Sequence, residues 1–136
     1  MKYFFTYLRV QIGDINYGGH VGNDKMLLYF HEARIRYLNA LGCTEKDIGE
    51  GVSLTQTEAF ISYKGEALLG DELLIRVFID NISGVRFQVN YVITRVADSH
   101  LIVSGYTVLA GFDYEGRRVS RIPRSFKGIV ETFQSE

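Results

Sequence analysis

Residues 10–38 read VQIGDINYGGHVGNDKMLLYFHEARIRYL, and the spacing of the apolar residues changes within this stretch. Residues 3–12, which overlap the beginning of this stretch, alternate between two faces. Phe4, Leu8, Val10 and Ile12 lie on the same face, which predicts a half-buried strand. A glycine-rich turn follows. Beyond it, apolar residues recur at steps of three and four, which predicts an amphipathic helix from about residue 22 to 41. The predicted stripe consists of Met26, Leu27, Phe30, Ala33, Tyr37, Leu38 and Leu41.

The ends of this helix are marked by residues that commonly stop helices. Asn23 is a candidate N-cap, because its side chain can accept a hydrogen bond from a free N–H of the first turn. Gly42 is a candidate for the left-handed position that follows a helix. A helix of this length needs a broad apolar surface on which to lie.

The rest of the chain predicts that surface. Four further strands are expected at 52–64, 72–81, 85–96 and 101–112. They are separated by Gly70–Asp71, residues 81–84 and residues 97–100, which are short enough for hairpins. Neighbouring strands should therefore be antiparallel, giving an α+β fold with the long helix on one face of a five-stranded sheet. Pro123 fits the first turn of a final helix that carries Phe126, Ile129 and Val130.

Composition narrows the class of protein. The chain has 136 residues, which predicts a single domain over residues 1–136. Its net charge of −1 gives no electrostatic case for a nucleic-acid partner. Cys43 is the one cysteine, so no internal disulfide can form and a reducing, cytoplasmic location is expected. The first residues alternate like a strand rather than a signal peptide, and no stretch is long and apolar enough to predict a membrane span.

The 10–38 stretch resembles the hotdog-fold thioesterases, in particular the 4-hydroxybenzoyl-CoA thioesterase-like group. In that group a strand enters a turn rich in Asp, Gly and His, and a helix follows. The matching residues are Asp14, Gly19, His20, Val21, Asn23, Phe30, Glu32, Ala33 and Arg34. The SYKGEALLGDELLI segment (62–75) and the run from Gly116 to Pro123 resemble later parts of the same family. The similarity therefore extends over nearly the whole chain.

The resemblance implies hydrolysis of an acyl-CoA or acyl-carrier thioester by a homodimer or homotetramer whose sites lie between subunits. It implies no cofactor or metal, with coenzyme A entering as part of the substrate. One position departs from the pattern, since Asn16 stands where much of the family has a catalytic aspartate, and an amide cannot accept a proton at neutral pH. A hotdog domain that binds acyl thioesters without cleaving them, as a sensor, carrier or scaffold, is the alternative function.

Four residues are candidates for catalysis. Asn16 could position the thioester or a water. His20 lies beside a helix N-terminus, which favours a neutral imidazole that acts as a base; the alternative is a ring fixed by a backbone hydrogen bond. Asp14 could orient either residue or simply close the turn. Glu58 is predicted to lie on the same strand face as Leu54 and Phe60. Apolar neighbours should raise the pKa of a carboxylate, which is typical of a general base, although Glu58 could also face solvent or an oligomer interface.

Substrate contacts are predicted from the turn and from basic residues. The turn candidates are Tyr17, Gly18, Gly19, Val21 and Gly22, of which the glycines allow close backbone approach and Tyr17 is assigned to the acyl pocket. The phosphate candidates are Lys64, Arg86, Arg121, Arg124 and Lys127, since such side chains pair with phosphate. Glu32 and Arg34 are each predicted to be partners in a buried ion pair.

Overall fold

The computed structural model describes all residues, Met1 to Glu136, as one antiparallel sheet and two helices. The elements are β1 (Phe4–Arg9), α1 (Asn23–Ala40), β2 (Ser53–Tyr63), β3 (Glu72–Ser83), β4 (Arg86–Arg95), β5 (Leu101–Asp113), β6 (Arg118–Ser120) and α2 (Arg124–Gln134). The strand order is β1-β3-β4-β5-β2, with β6 beside the end of β5. The α+β antiparallel architecture is confirmed. The sheet has six strands rather than five, because residues 118–120 return to pair with 111–113.

The connection between β2 and β3 differs from the prediction. Gly70–Asp71 does not form a hairpin, because β3 pairs with β1 while β2 lies at the far edge beside β5. Residues 64–71, which we call the strap, run between these edges. At its start the Lys64 and Gly65 N–H groups donate to the Ile102 carbonyl of β5. Farther along, the strap bonds the segment around the glycine turn, with the Val21 N–H donating to the Ala67 carbonyl. The β3–β4 and β4–β5 pairings are confirmed.

The first strand ends earlier than predicted. Residues 12–14 form a short 3-10 helix, closed by the Gln11 N–H donating to the Asp14 carboxylate. Ile12, expected on the buried face, is 73% exposed as a result. The tight turn redirects the chain so that the glycine turn and α1 lie over the sheet.

Helix α1 packs on the inner face of the sheet. Phe30 stacks on Tyr91 of β4 with ring centroids 4.2 Å apart, and Phe4 stacks on Tyr37. A side chain at Gly105 would collide with the Phe60 carbonyl and with the Phe30 ring, so glycine at this position permits the close approach of the helix. The inner row of β3 consists of Leu73, Ile75, Val77 and Ile79, all buried.

Three details of the helix predictions are corrected. Gly22, not Asn23, is the N-cap of α1, and Gly42 has the expected positive φ of +79° after its end. Leu27 is 37% exposed, whereas Tyr29 is buried in its place. In α2, Phe126 and Val130 are buried, but Ile129 is exposed. Neither helix combines the length and apolar character that crossing a membrane requires.

Candidate active site

The glycine turn, residues 14–22, is a compact loop fixed by its own backbone. The Asn16 N–H donates to the His20 carbonyl, the Gly19 N–H donates to the Asn16 carbonyl, and the Gly22 N–H donates to the Asp14 carbonyl. Gly19 has a φ of +78°, a conformation that favours glycine. The side chains on this turn are therefore presented from a defined backbone at the start of α1.

The side chains of Asn16 and His20 converge over Gly18. The Gly18 N–H donates to Asn16 Oδ1 at 2.9 Å. A side chain at Gly18 would lie 3.0 Å from His20 Nε2 and 3.3 Å from Asn16 Oδ1. Glycine at this position leaves room for both groups, and the two face one small space.

The hydrogen bonds of His20 leave one ring nitrogen available. Nδ1 lies 3.3 Å from the Val21 carbonyl, which can only accept, so this contact places the ring hydrogen on Nδ1. Nε2 is then the acceptor, directed toward the space over Gly18. The backbone hydrogen bond and a role as base are thus compatible, because they use opposite sides of the ring.

The N-terminus of α1 supplies donors beside this space. No side chain caps the helix, and the N–H groups of Asn23 and Asp24 have no backbone partner, whereas the Lys25 N–H donates to the Gly22 carbonyl. The Tyr63 hydroxyl donates to the Asn23 carbonyl at 3.0 Å and ties the first turn to β2. Free N–H groups at the positive end of a helix suit a carbonyl oxygen that acquires negative charge.

Asp14 has a structural role. Its Oδ2 accepts the Gln11 N–H and, at 2.7 Å, the Tyr29 hydroxyl. Burial and the bond to Asp14 raise the pKa of Tyr29, so its hydroxyl remains a donor. Asp14 therefore orients the start of the turn and bonds neither Asn16 nor His20, in agreement with the turn-closing alternative.

Comparison with known proteins identifies the family. The model of the thioesterase-like superfamily matches residues 10–130. The chain belongs to this superfamily. A 1,4-dihydroxy-2-naphthoyl-CoA thioesterase from Synechocystis has the same fold, with a TM-score of 0.85 and 23% identity over 95% of this chain and 96% of its own.

Two further structures share the fold. A Staphylococcus aureus protein solved in complex with CoA has a TM-score of 0.88 at 19% identity, covering 98% of this chain and 85% of its own. A gentisyl-coenzyme A thioesterase has a TM-score of 0.81 at 21% identity, covering 93% of this chain and 99% of its own. The hotdog resemblance predicted from residues 10–38 is confirmed.

In this chain, three of the predicted site residues do not lie where the sequence analysis placed them. Val21 is 3% exposed and packs in the core, so its side chain is not a substrate contact. Glu58 is exposed on the outer face of the sheet, because a bulge between Gln56 and Glu58 shifts the alternation of β2. Tyr17 is fully exposed at the tip of the turn and touches no acyl pocket within one chain.

The predicted phosphate residues fall into two groups. Lys64 follows β2 at the end of the sheet that carries the glycine turn. Arg86, Arg121 and Arg124 lie at the opposite end, where β2 begins. The register pairs Ser53 with Phe112 and Tyr63 with Val103, so ten residues, roughly 30 Å of strand, separate these ends. One chain therefore does not bring the turn and the arginines together.

A polar cluster of Arg34, Glu45 and His31 lies under the middle of α1, and of these three residues only Arg34 is predicted from the sequence. Arg34 is buried and ion-paired as expected, with its Nε 2.7 Å from Glu45 Oε2, while Nη1 donates to the Tyr91 hydroxyl. Glu32, by contrast, is exposed and pairs with Arg36. Glu45 also contacts His31 Nε2 at 2.7 Å. Glu45 lies in a loop without a recognisable pattern, and no sequence signal identifies it as the partner.

Glu45→Gln is expected to lower the free energy of unfolding by about 2 kcal/mol at pH 7, the usual contribution of hydrogen bonds to a charged group. Partial burial acts to raise the pKa of Glu45, but hydrogen bonds from Arg34 and His31 outweigh it and hold the pKa below its ordinary value. The stabilisation is therefore complete above the unfolded-state pKa of about 4.3 and lost as pH falls through the lower folded-state value.

Urea unfolding at pH 7 and at pH 3 measures this effect. The difference in the free energy of unfolding between wild type and Glu45→Gln should be smaller at pH 3 than at pH 7. Glu131→Gln, an exposed carboxylate on α2 without an ion pair, is the matched control and should change stability little at either pH. An equal gap at both pH values would contradict the assigned role.

Proposed function

We propose that this protein hydrolyses an acyl-CoA or acyl-carrier thioester to the free acid and thiol. The observation that carries the proposal is the convergence of Asn16 and His20 over Gly18, beside the uncapped start of α1. Two proteins of similar fold are thioesterases of aromatic acyl-CoAs, and a third was solved with CoA. These relatives favour CoA as the thiol of the substrate.

Each group has a distinct role in this reaction. The carboxamide of Asn16 uses its oxygen to accept from Gly18, so its NH₂ group remains to donate to the thioester carbonyl. The first-turn N–H groups of α1 stabilise the oxyanion. His20 Nε2 accepts a proton from the attacking water and returns it to the leaving thiolate. The water oxygen adds to the carbonyl carbon to give a tetrahedral oxyanion, and the C–S bond breaks when this intermediate collapses.

The free edges of the sheet favour a dimer through β2. At the β1 edge, Arg36 donates to the Tyr7 carbonyl and to Thr6, which blocks the addition of another strand. At the β2 edge, the loop after α1 covers only the start, where the Leu54 N–H donates to the Glu45 carbonyl. Residues 55–63 remain without a neighbour on that side, and proteins generally cover or pair such edges.

An antiparallel pairing of two β2 strands would complete the site. A two-fold axis through residues 55–63 brings the beginning of one β2 beside the end of the other. The surface pocket of about 490 Å³ lined by Glu50, Arg121 and Arg124 would then face the glycine turn of the other subunit. Neither arginine forms a salt bridge within the chain, so both guanidinium groups are available to the phosphates of CoA.

Cysteines placed at residues 57–61 in a Cys43→Ala background should reveal this dimer. The position closest to the two-fold axis is expected to form an intersubunit disulfide on mild oxidation, because facing Cβ atoms in paired strands lie about 5 Å apart. Phe5→Cys on the blocked β1 edge is the control and should give no cross-linked dimer. Non-reducing electrophoresis reads the result, and monomer at every one of the five positions would contradict β2 pairing.

A second function is supported by the same turn. Asn16 replaces a carboxylate, and Asp14 is committed to Gln11 and Tyr29, so the turn itself holds no free acid. This observation favours a domain that binds acyl thioesters without cleaving them. A screen of aliphatic and aromatic acyl-CoAs for thiol release, with binding measured in parallel, distinguishes the two. Turnover supports the hydrolase, whereas tight binding without thiol release supports the binding domain.

A further inference from the structure

The strap places a second acidic residue at the glycine turn. Its backbone is joined to the turn by the Val21–Ala67 hydrogen bond and by a bridge between His20 and Leu68. Glu66 lies next to these contacts, and its Oε1 is 4.0 Å from His20 Nε2. Its carboxylate is the one acidic group within 4.0 Å of a nitrogen of this ring.

The 4.0 Å separation is informative because it is too long for a direct hydrogen bond. One water molecule fits between two polar atoms at this distance and can bond both. We propose that Glu66 supplies the carboxylate that the turn lacks, holding the hydrolytic water against His20 Nε2. This assignment rests on the proposed thioesterase function and identifies a catalytic residue for it outside the family-like turn.

The strap is held in place by interactions that do not involve the ligand. Arg95 Nη1 donates to the Glu66 carbonyl at 2.8 Å, and Arg95 also pairs with Asp71 and Asp98. A side chain at Gly65 would lie 2.6 Å from His100 Nε2, so the neighbouring hairpin packs directly on the strap. The backbone of Glu66 is therefore fixed, while its side chain, 70% exposed, stays accessible to water and substrate.

The proposed step balances without another reactant. One hydrogen of the water bonds to Glu66 and the other is transferred to His20 Nε2 as the oxygen attacks the thioester carbon. The negative carboxylate stabilises the imidazolium that forms. The C–S bond then breaks, the proton on Nε2 passes to the thiolate, and the second hydrogen leaves with the carboxylic acid product.

Glu66→Gln is expected to reduce kcat about 10²-fold, at the lower end of the effect of a positioned acid–base group. The KM and the thermal unfolding midpoint should not change, because the amide keeps the size of the side chain and Arg95 still holds the strap. Glu72→Gln, an exposed carboxylate near the strap that pairs with Arg9, is the matched control. A His20→Ala, Glu66→Gln double variant should be no slower than His20→Ala alone, since both act on one water.

Adding acetate or formate to Glu66→Ala distinguishes a catalytic role of the carboxylate from a structural one, because a small carboxylate could replace only the catalytic function. Partial restoration of kcat by the small carboxylate is the expected result. A wild type that hydrolyses acyl-CoA together with a fully active Glu66→Gln would overturn the assignment of Glu66 and leave the proposed function intact. A wild type that releases no thiol from any acyl-CoA would overturn both.

Discussion

His20→Ala is expected to lower kcat/KM by about 10²- to 10⁴-fold, the range contributed by positioned general bases. The ring has its Nδ1 at the Val21 carbonyl and its Nε2 toward the space over Gly18, so truncation removes the acceptor at the reacting position. Asn16→Ala should lower kcat/KM by about 10²-fold, as expected when a hydrogen-bond donor to the oxyanion is lost. Thiol release at subsaturating acyl-CoA measures both.

Glu58→Gln is the comparison variant for this prediction. Its carboxylate lies on the outer face of the sheet, away from α1, and its loss should leave turnover at the wild-type level. Full activity of His20→Ala combined with inactivity of Glu58→Gln would reverse the assignment. In that case the base would act from the outer face, through an assembly different from the β2 dimer.

Charge reversal at Arg121 and Arg124 should weaken CoA binding about 10²-fold at low ionic strength, since each charge-assisted contact to a phosphate contributes about 1.5–3 kcal/mol. The two side chains line a common pocket near the start of α2 and have no carboxylate partner. The loss should shrink at high salt, where exposed charges are screened.

Calorimetric titration with CoA measures this loss. Arg76→Glu, an exposed arginine within β3, is the control and should bind as wild type. Unchanged affinity in the Arg121→Glu, Arg124→Glu double variant at low salt would show that the phosphates bind elsewhere, with Lys64 near the turn as the next candidate.

Much of the fold follows from local pattern. The change of period at the glycine turn predicts α1 to within one residue at its start, and the alternation at 72–81 predicts the start of β3. These features depend on neighbours in the sequence. The path of the strap depends instead on which distant backbone groups are free to bond, and Gly70–Asp71 has the composition of a hairpin that it does not form.

The sequence predicts the part of the candidate site that lies in one continuous motif, but not the residues that come from other segments. Asn16, His20 and the glycines belong to one short turn, and the structure brings them together. Glu58 was misplaced because a single-residue bulge reverses the alternation on which its prediction depended. No sequence signal relates Glu66, which we propose as a catalytic carboxylate, to His20, because their proximity comes from a backbone bridge between segments more than forty residues apart.

The central claim is that each site takes its turn from one subunit and its phosphate-binding arginines from the other. A mixture of two impaired variants tests it directly. His20→Ala retains the arginines, and Arg121→Glu, Arg124→Glu retains the turn. In a mixed dimer formed by unfolding and refolding them together, one of the two sites combines an intact turn with intact arginines. Random association predicts recovery of about a quarter of wild-type activity. Activity no greater than the average of the separate variants would contradict the shared site.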